Sequence, residues 1–168
     1  MAEITLRGQS VQTVGTLPGI GEQAPNFELV GPDLEPVRSA DFAGKTLVLN
    51  IFPSVDTGVC AASVRAFNQE AAGWEQTVVL NVSKDLPFAL GRFCGAEGLE
   101  GVQTASAFRS EFGEDYGVTM ISGGLTGLLA RAVVVVDPQG RVLYTEQVPE
   151  IGQEPDYAAA VEAVRSTK

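Results

Sequence analysis

Two cysteines, Cys60 and Cys94, carry the most distinctive chemistry of this 168-residue sequence, because it contains no histidine. Ser-His-Asp hydrolysis, Cys-His proteolysis and histidine-ligated metal sites all need an imidazole, so those mechanisms are excluded. What remains is thiol chemistry, which runs through the thiolate. The two cysteines stand 34 residues apart, so they are not a C-x-x-C dithiol. A thiolate here must be held by an Arg, a Lys or backbone N–H groups.

The segment Asn50-Ile51-Phe52-Pro53-Ser54-Val55-Asp56-Thr57-Gly58-Val59-Cys60 runs from an apolar stretch through a Pro/Gly loop into a helical pattern. That puts Cys60 in the first turn of a helix, among unsatisfied amides and at the positive end of the dipole. The dipole contributes about 0.3–1 kcal/mol, less than the ~1.36 kcal/mol that a tenfold gain in thiolate requires. A cation is needed as well, and at about 4 Å in an effective dielectric of 20 it offers about 4 kcal/mol before desolvation. Arg131 is the candidate, standing immediately before Ala132-Val133-Val134-Val135-Val136. The pattern alone is also met by an arginine that flanks a strand in solvent, and by cysteines that are small buried hydrophobes.

The elements that position these residues follow from periodicity. Three apolar runs, 46–52, 77–82 and 132–136, suit strands buried on both faces. Between the first two, Cys60, Val64, Phe67 and Ala71 share one face of a helix over Cys60–Ala72, which makes strand-helix-strand with a right-handed crossover. The third run ends in Asp137-Pro138-Gln139-Gly140 and returns through 142–148 as a hairpin, so the sheet is mixed. Pro155-Asp156-Tyr157 opens a last helix to about Ser166, and a segment from about Pro87 to Gly95 is helical around Cys94. Ile4–Leu6 and Val11–Val14, separated by Gly8-Gln9-Ser10, read as an N-terminal β-hairpin. The expectation is one α/β domain over residues 1–168.

Composition narrows the partners. With 11 Lys+Arg against 21 Asp+Glu the net charge is −10, and no basic run appears, so nucleic acid and anionic membranes are not expected partners. The first eight residues lack a basic n-region and an apolar core, so no signal peptide is expected. The longest apolar stretch, 132–136, is far short of the ~20 residues that span a bilayer. A cytoplasmic protein is expected, where paired cysteines are more often redox-active than structural.

The stretch 53–60, with a proline and a threonine ahead of Cys60, resembles the peroxiredoxin signature. Residues 50–65, Arg92-Phe93-Cys94-Gly95-Ala96-Glu97-Gly98-Leu99 and the 130–137 segment resemble the bacterial thiol peroxidase branch, the atypical 2-Cys peroxiredoxins. The resemblance covers nearly the whole chain in order. It implies a thioredoxin-like fold with a mixed central sheet and an N-terminal hairpin. It implies a peroxidase that reduces hydrogen peroxide and organic hydroperoxides, without cofactor or metal, usually as a homodimer, with thioredoxin as reductant.

Residue by residue, the resemblance makes Cys60 peroxidatic and Cys94 resolving, joined in a Cys60–Cys94 disulfide during turnover. Arg131 would hold the thiolate and the departing oxygen, and the N–H groups of Val59 and Cys60 would hold the peroxide oxygens. The Thr57 hydroxyl would accept from the peroxide while donating to the thiolate, and Pro53 would cover the pocket. A disulfide needs Cα atoms about 4.4–6.8 Å apart, so two separately packed helices would have to loosen locally. The Gly123–Leu129 loop is an apolar candidate for substrate or dimer contacts, or simply the strand lead-in. The alternative is a non-catalytic redox sensor working through the same bridge; a disulfide reductase is disfavoured by the missing C-x-x-C.

Overall fold

The computed structural model describes residues 2–71, 73–99 and 101–166. Its centre is β5 (Thr46–Ile51) and β8 (Ala132–Val136), buried at every position. Both strands are apolar because both faces of the sheet are covered. Leu47, Leu49, Ile51 and Val134 pack with Phe27, Phe112 and Tyr116 on one side. Val48, Val133 and Val135 pack on the other side with Val64 and Phe67 of α1 (Gly58–Ala71) and with Ala160 and Val164 of α4 (Tyr157–Arg165). Phe67 is fully buried and meets Tyr157 edge-on at 5.3 Å, so truncating it to Ala would cost about 3–5 kcal/mol.

β5 runs parallel to β6 (Thr77–Ser83), from Thr46 opposite Thr77 to Ile51 opposite Val82, with α1 as the crossover. β8 runs antiparallel to β5 and to β9 (Val142–Gln147), which gives the expected mixed sheet and hairpin. In the turn, Asp137 accepts from the amides of Gln139 and Arg141, and Gly140 adopts a φ of +86°. α4 is capped by Asp156, whose carboxylate accepts from the Ala159 amide. Ala72, the expected end of α1, lies outside the described residues.

The sheet is wider than the apolar runs suggest. β3 (Glu28–Val30), β4 (Pro36–Arg38) and β7 (Gln103–Ser106) complete the order β4-β3-β7-β6-β5-β8-β9. A 3-10 turn at Ser39–Phe42 and the one-turn α3 (Phe112–Asp115) also went unread. These pieces are too short for periodicity, and β7 is Gln-Thr-Ala-Ser, polar in type although three of its four positions are buried.

The N-terminal hairpin pairs β1 (Glu3–Leu6) with β2 (Gln9–Gln12). Its turn is Arg7-Gly8, both at positive φ (52° and 81°), rather than the expected Gly8-Gln9-Ser10. Two residues of that conformation match the twist of the strands they join. The pairing stops at Gln12 because Thr13 bridges Met120 instead. Cys94 lies on α2 (Pro87–Glu97), which ends at Gly98 in the left-handed region with a φ of 64°. Among the described residues no helix is long and apolar enough to cross a membrane.

Candidate active site

Cys60 is the third residue of α1, with no preceding helical turn to accept from the amides of Val59 and Cys60. Its thiol is completely buried. The helix starts there because the 54–57 turn feeds it: the Thr57 amide donates to the Ser54 carbonyl at 3.2 Å, and the Ala61 amide to the Thr57 carbonyl at 3.0 Å. Behind Cys60, Ser63 Oγ donates to its carbonyl at 2.8 Å. Asn50 Nδ2 donates to Ser63 Oγ and to Asn81 Oδ1, and Asn81 Nδ2 donates on to the Gln103 carbonyl.

Arg131 is 1% exposed, a side chain sunk into the site rather than flanking a strand in solvent. Its Nη2 donates to Cys60 Sγ at 3.2 Å and its Nε to the Ile151 carbonyl at 2.9 Å. The backbone is pinned too, since the Arg131 carbonyl accepts from Gln147 Nε2 and from the Val148 amide. Nη1 is buried and has no hydrogen-bond partner among the described residues. Of the three guanidinium nitrogens, Nη2 is thus committed to sulfur, Nε to the backbone, and Nη1 to no group among the described residues.

Pro53, Thr57, Val59 and Arg131 line one cavity of about 630 Å³, closed further by Leu6 of the hairpin and Leu125. The Gly123–Leu129 loop divides its work. Gly124 and Leu125 face this cavity, while Leu129 is buried and the Leu128 carbonyl accepts from the Met120 amide. One expectation needs correction: Thr57 Oγ1 donates to the Ser54 carbonyl at 3.1 Å, not to Cys60. A hydroxyl has one hydrogen, and the i−3 carbonyl of the turn takes it, which leaves the Thr57 lone pairs for an incoming donor.

Neither cysteine is among the residues that line that cavity: the free thiol of Cys60 is buried in contact with Arg131, which does line it, and the second free thiol is Cys94. Cys94 is half-buried on α2, where burial pushes its thiol up from the ordinary value, with the Thr104 side chain opposing. Its helix is clamped to that of Cys60 by a bidentate contact, Arg65 Nε and Nη2 to the two Glu97 oxygens at 3.1 and 2.9 Å. Arg92 also lies 3.8 Å from Asp56. Ile151, Gln147 and the Asn50–Asn81 pair were missed as supports. The asparagines were visible as two polar interruptions in apolar strands, whereas Ile151 acts through its backbone and leaves no sequence signal. Among the described residues no cluster of three or more Cys, Asp or Glu side chains is placed to hold a metal ion.

The family described as Redoxin matches residues 20–161. A thiol peroxidase of Mycobacterium tuberculosis is 61% identical over 164 residues, 98% of this chain and 99% of the relative. One from Corynebacterium glutamicum is 57% identical over the same shares. The crystal structure of a peroxiredoxin-like protein from Aquifex aeolicus superposes with a TM-score of 0.95 at 38% identity, covering 100% of this chain and 98% of that one.

Proposed function

The chain belongs to the redoxin family, among its peroxiredoxin-type thiol peroxidases, and from that membership we propose a catalytic cycle in which Cys60 is oxidised and Cys94 resolves it. The Cys60 thiolate attacks the terminal oxygen of a hydroperoxide. An S–O bond forms, the O–O bond breaks, sulfur is oxidised by two electrons, and the departing oxygen takes a proton and leaves as water or an alcohol. Cys60 is left as a sulfenic acid. The Cys94 thiolate then attacks that sulfur, the S–S bond forms, and the hydroxyl departs with a proton as water. Reduced thioredoxin returns both thiols and is itself oxidised to its disulfide.

The observation that carries this reading is the Arg131 fork. Charge moves from sulfur to the leaving oxygen during the attack, so catalysis needs donors at both ends of that path. Nη2 bonds the sulfur, and the buried, unpartnered Nη1 suits the oxygen that departs. The Val59 and Cys60 amides suit the oxygen under attack, the Thr57 hydroxyl suits as acceptor of a hydrogen bond from the peroxide, and Pro53 shields the sulfur from water. The apolar cavity suits organic hydroperoxides as well as hydrogen peroxide.

The reading places the protein in the cytoplasm, where thioredoxin keeps thiols reduced, and includes a homodimer. The exposed Phe88 offers apolar surface that supports pairing. The test is consumption of hydrogen peroxide and tert-butyl hydroperoxide by reduced protein with thioredoxin, its reductase and NADPH. Turnover well above buffer, abolished in Cys60→Ser, is expected. No consumption above buffer would sink the reading.

A further inference from the structure

Asp85 lies between β6 and α2 and takes no part in the chemistry above, yet its carboxylate accepts three hydrogen bonds beside the site. It accepts from Ser54 Oγ at 2.7 Å, from the Val55 amide at 2.9 Å and from Ser83 Oγ at 2.6 Å. Its backbone carbonyl accepts from Ser106 Oγ of β7. Ser83 and Ser106 are fully buried, so the anchor end of this arrangement belongs to the sheet. The other end is the loop that leads to Cys60. Ser54 Oγ also accepts from the Asp56 amide at 3.0 Å, and the Ser54 carbonyl holds both the Thr57 amide and Thr57 Oγ1.

We propose that Asp85 is a positioning residue that holds the 54–57 loop in its attacking geometry and, because it stands at the entrance of the Cys94 helix, must release that loop before the two cysteines can join. The inference rests on the peroxidase reading. One carboxylate ties the start of the Cys60 loop to the segment that begins α2, so the same bonds that order Thr57 also resist the separation of loop and helix that disulfide formation requires. Asp85→Asn keeps the shape but turns one acceptor into a donor facing donors. The two steps of the cycle then respond in opposite directions: oxidation of Cys60 slows, and joining to Cys94 quickens. A residue that serves only folding would slow both or neither.

The experiment measures the two steps separately. In a Cys94→Ser background, the second-order constant for Cys60 oxidation by hydrogen peroxide should fall about tenfold in Asp85→Asn, the loss of one charge-assisted bond. With Cys94 present, the first-order constant for disulfide formation should rise several-fold. Over-oxidation to the sulfinic acid at high peroxide should fall, because the sulfenic acid is exposed for less time. Ser54→Ala removes one of the three donors and should move both constants in the same directions by smaller factors, which decides the matter if Asp85→Asn does not fold. Constants equal to those of the parent, or both lowered in parallel, would overturn the assignment while leaving the peroxidase reading intact. A Cys94→Ser protein with Asp85 intact that forms no Cys60 sulfenic acid would overturn the reading and the proposal together.

Discussion

Arg131 Nη2 meets Cys60 Sγ at 3.2 Å across 71 residues of chain, and both side chains are buried. The contact exists because Arg131 stands just before β8, which runs antiparallel beside β5, the strand that delivers Cys60. The Ile151 carbonyl takes Nε and so aims the rest of the guanidinium at sulfur. Lysine cannot reproduce this, since one ammonium has no fixed fork. Arg131→Lys should lower the rate of Cys60 oxidation about 10–100-fold and Arg131→Met further, in line with about 1.5–3 kcal/mol for a hydrogen bond to a charged group. Alkylation of Cys60 by iodoacetamide at neutral pH should fall in parallel. Unchanged alkylation and oxidation in both variants would remove Arg131 from the site.

The Arg65–Glu97 contact joins the helices of the two cysteines, so it bears on the step that brings them together. Its hydrogen bond from Arg65 holds the Glu97 carboxyl below its ordinary value of 4.5. A lowered carboxyl contributes stability that is present above the unfolded value and lost as pH falls through the folded one. The pair is exposed and therefore screened by salt. Disulfide formation should quicken with added salt in the parent protein. Glu97→Gln should be fast already at low salt and insensitive to it. The same salt response in both would show that this clamp plays no part.

All three tyrosines sit where the charged phenolate is disfavoured. Burial, with help from Glu146 and Asp156, pushes Tyr144 up to about 12. Burial pushes Tyr116 and Tyr157 up as well, with Asp115 and Glu154 adding to the effect. A phenol raised in the folded state contributes stability that is fully present below the unfolded value near 10 and lost as pH rises through the folded values. Absorbance titration should find no tyrosine ionising at pH 10 while near-UV dichroism is native, and all three should ionise together as the chain unfolds. Ionisation of a tyrosine near pH 10 in the native protein would contradict these environments.

The parts of this molecule that were legible are those where chemistry and periodicity agree. The β5-α1-β6 unit and the β8-β9 hairpin announce themselves through long β-branched runs and one helical stripe, Cys60 to Ala71. The unread strands β3, β4 and β7 are three or four residues long and pair through backbone groups that every sequence possesses. At the site, residue types and the family motif pointed to Cys60, Arg131 and Pro53. The direction of the Thr57 bond did not follow from them, because it depends on where the Ser54 carbonyl falls. Asp85 escaped for the same reason, since its three donors converge only in space.

Gly117 illustrates a constraint of that spatial kind. It has a φ of +70°, and a Cβ there would run into the backbone of Thr16. Gly117→Ala should cost more than about 2 kcal/mol from overlap and left-handed strain together. For a chain of this size that lowers Tm by roughly 4–8 °C or more. A calorimetric scan that finds Tm unchanged would mean the 16–117 contact is not made.

The central claim is that Cys60 and Cys94 form one redox couple within a single chain. It is tested most directly by adding one equivalent of hydrogen peroxide to reduced protein and mapping its peptides by mass spectrometry without reduction. The expected product is an intramolecular Cys60–Cys94 cross-link, two hydrogens lighter than the thiols, which forms in the parent and is replaced by a Cys60 sulfenic acid in Cys94→Ser. A Cys60 that stays a free thiol while peroxide is consumed, or a bridge found only between chains, would contradict the account.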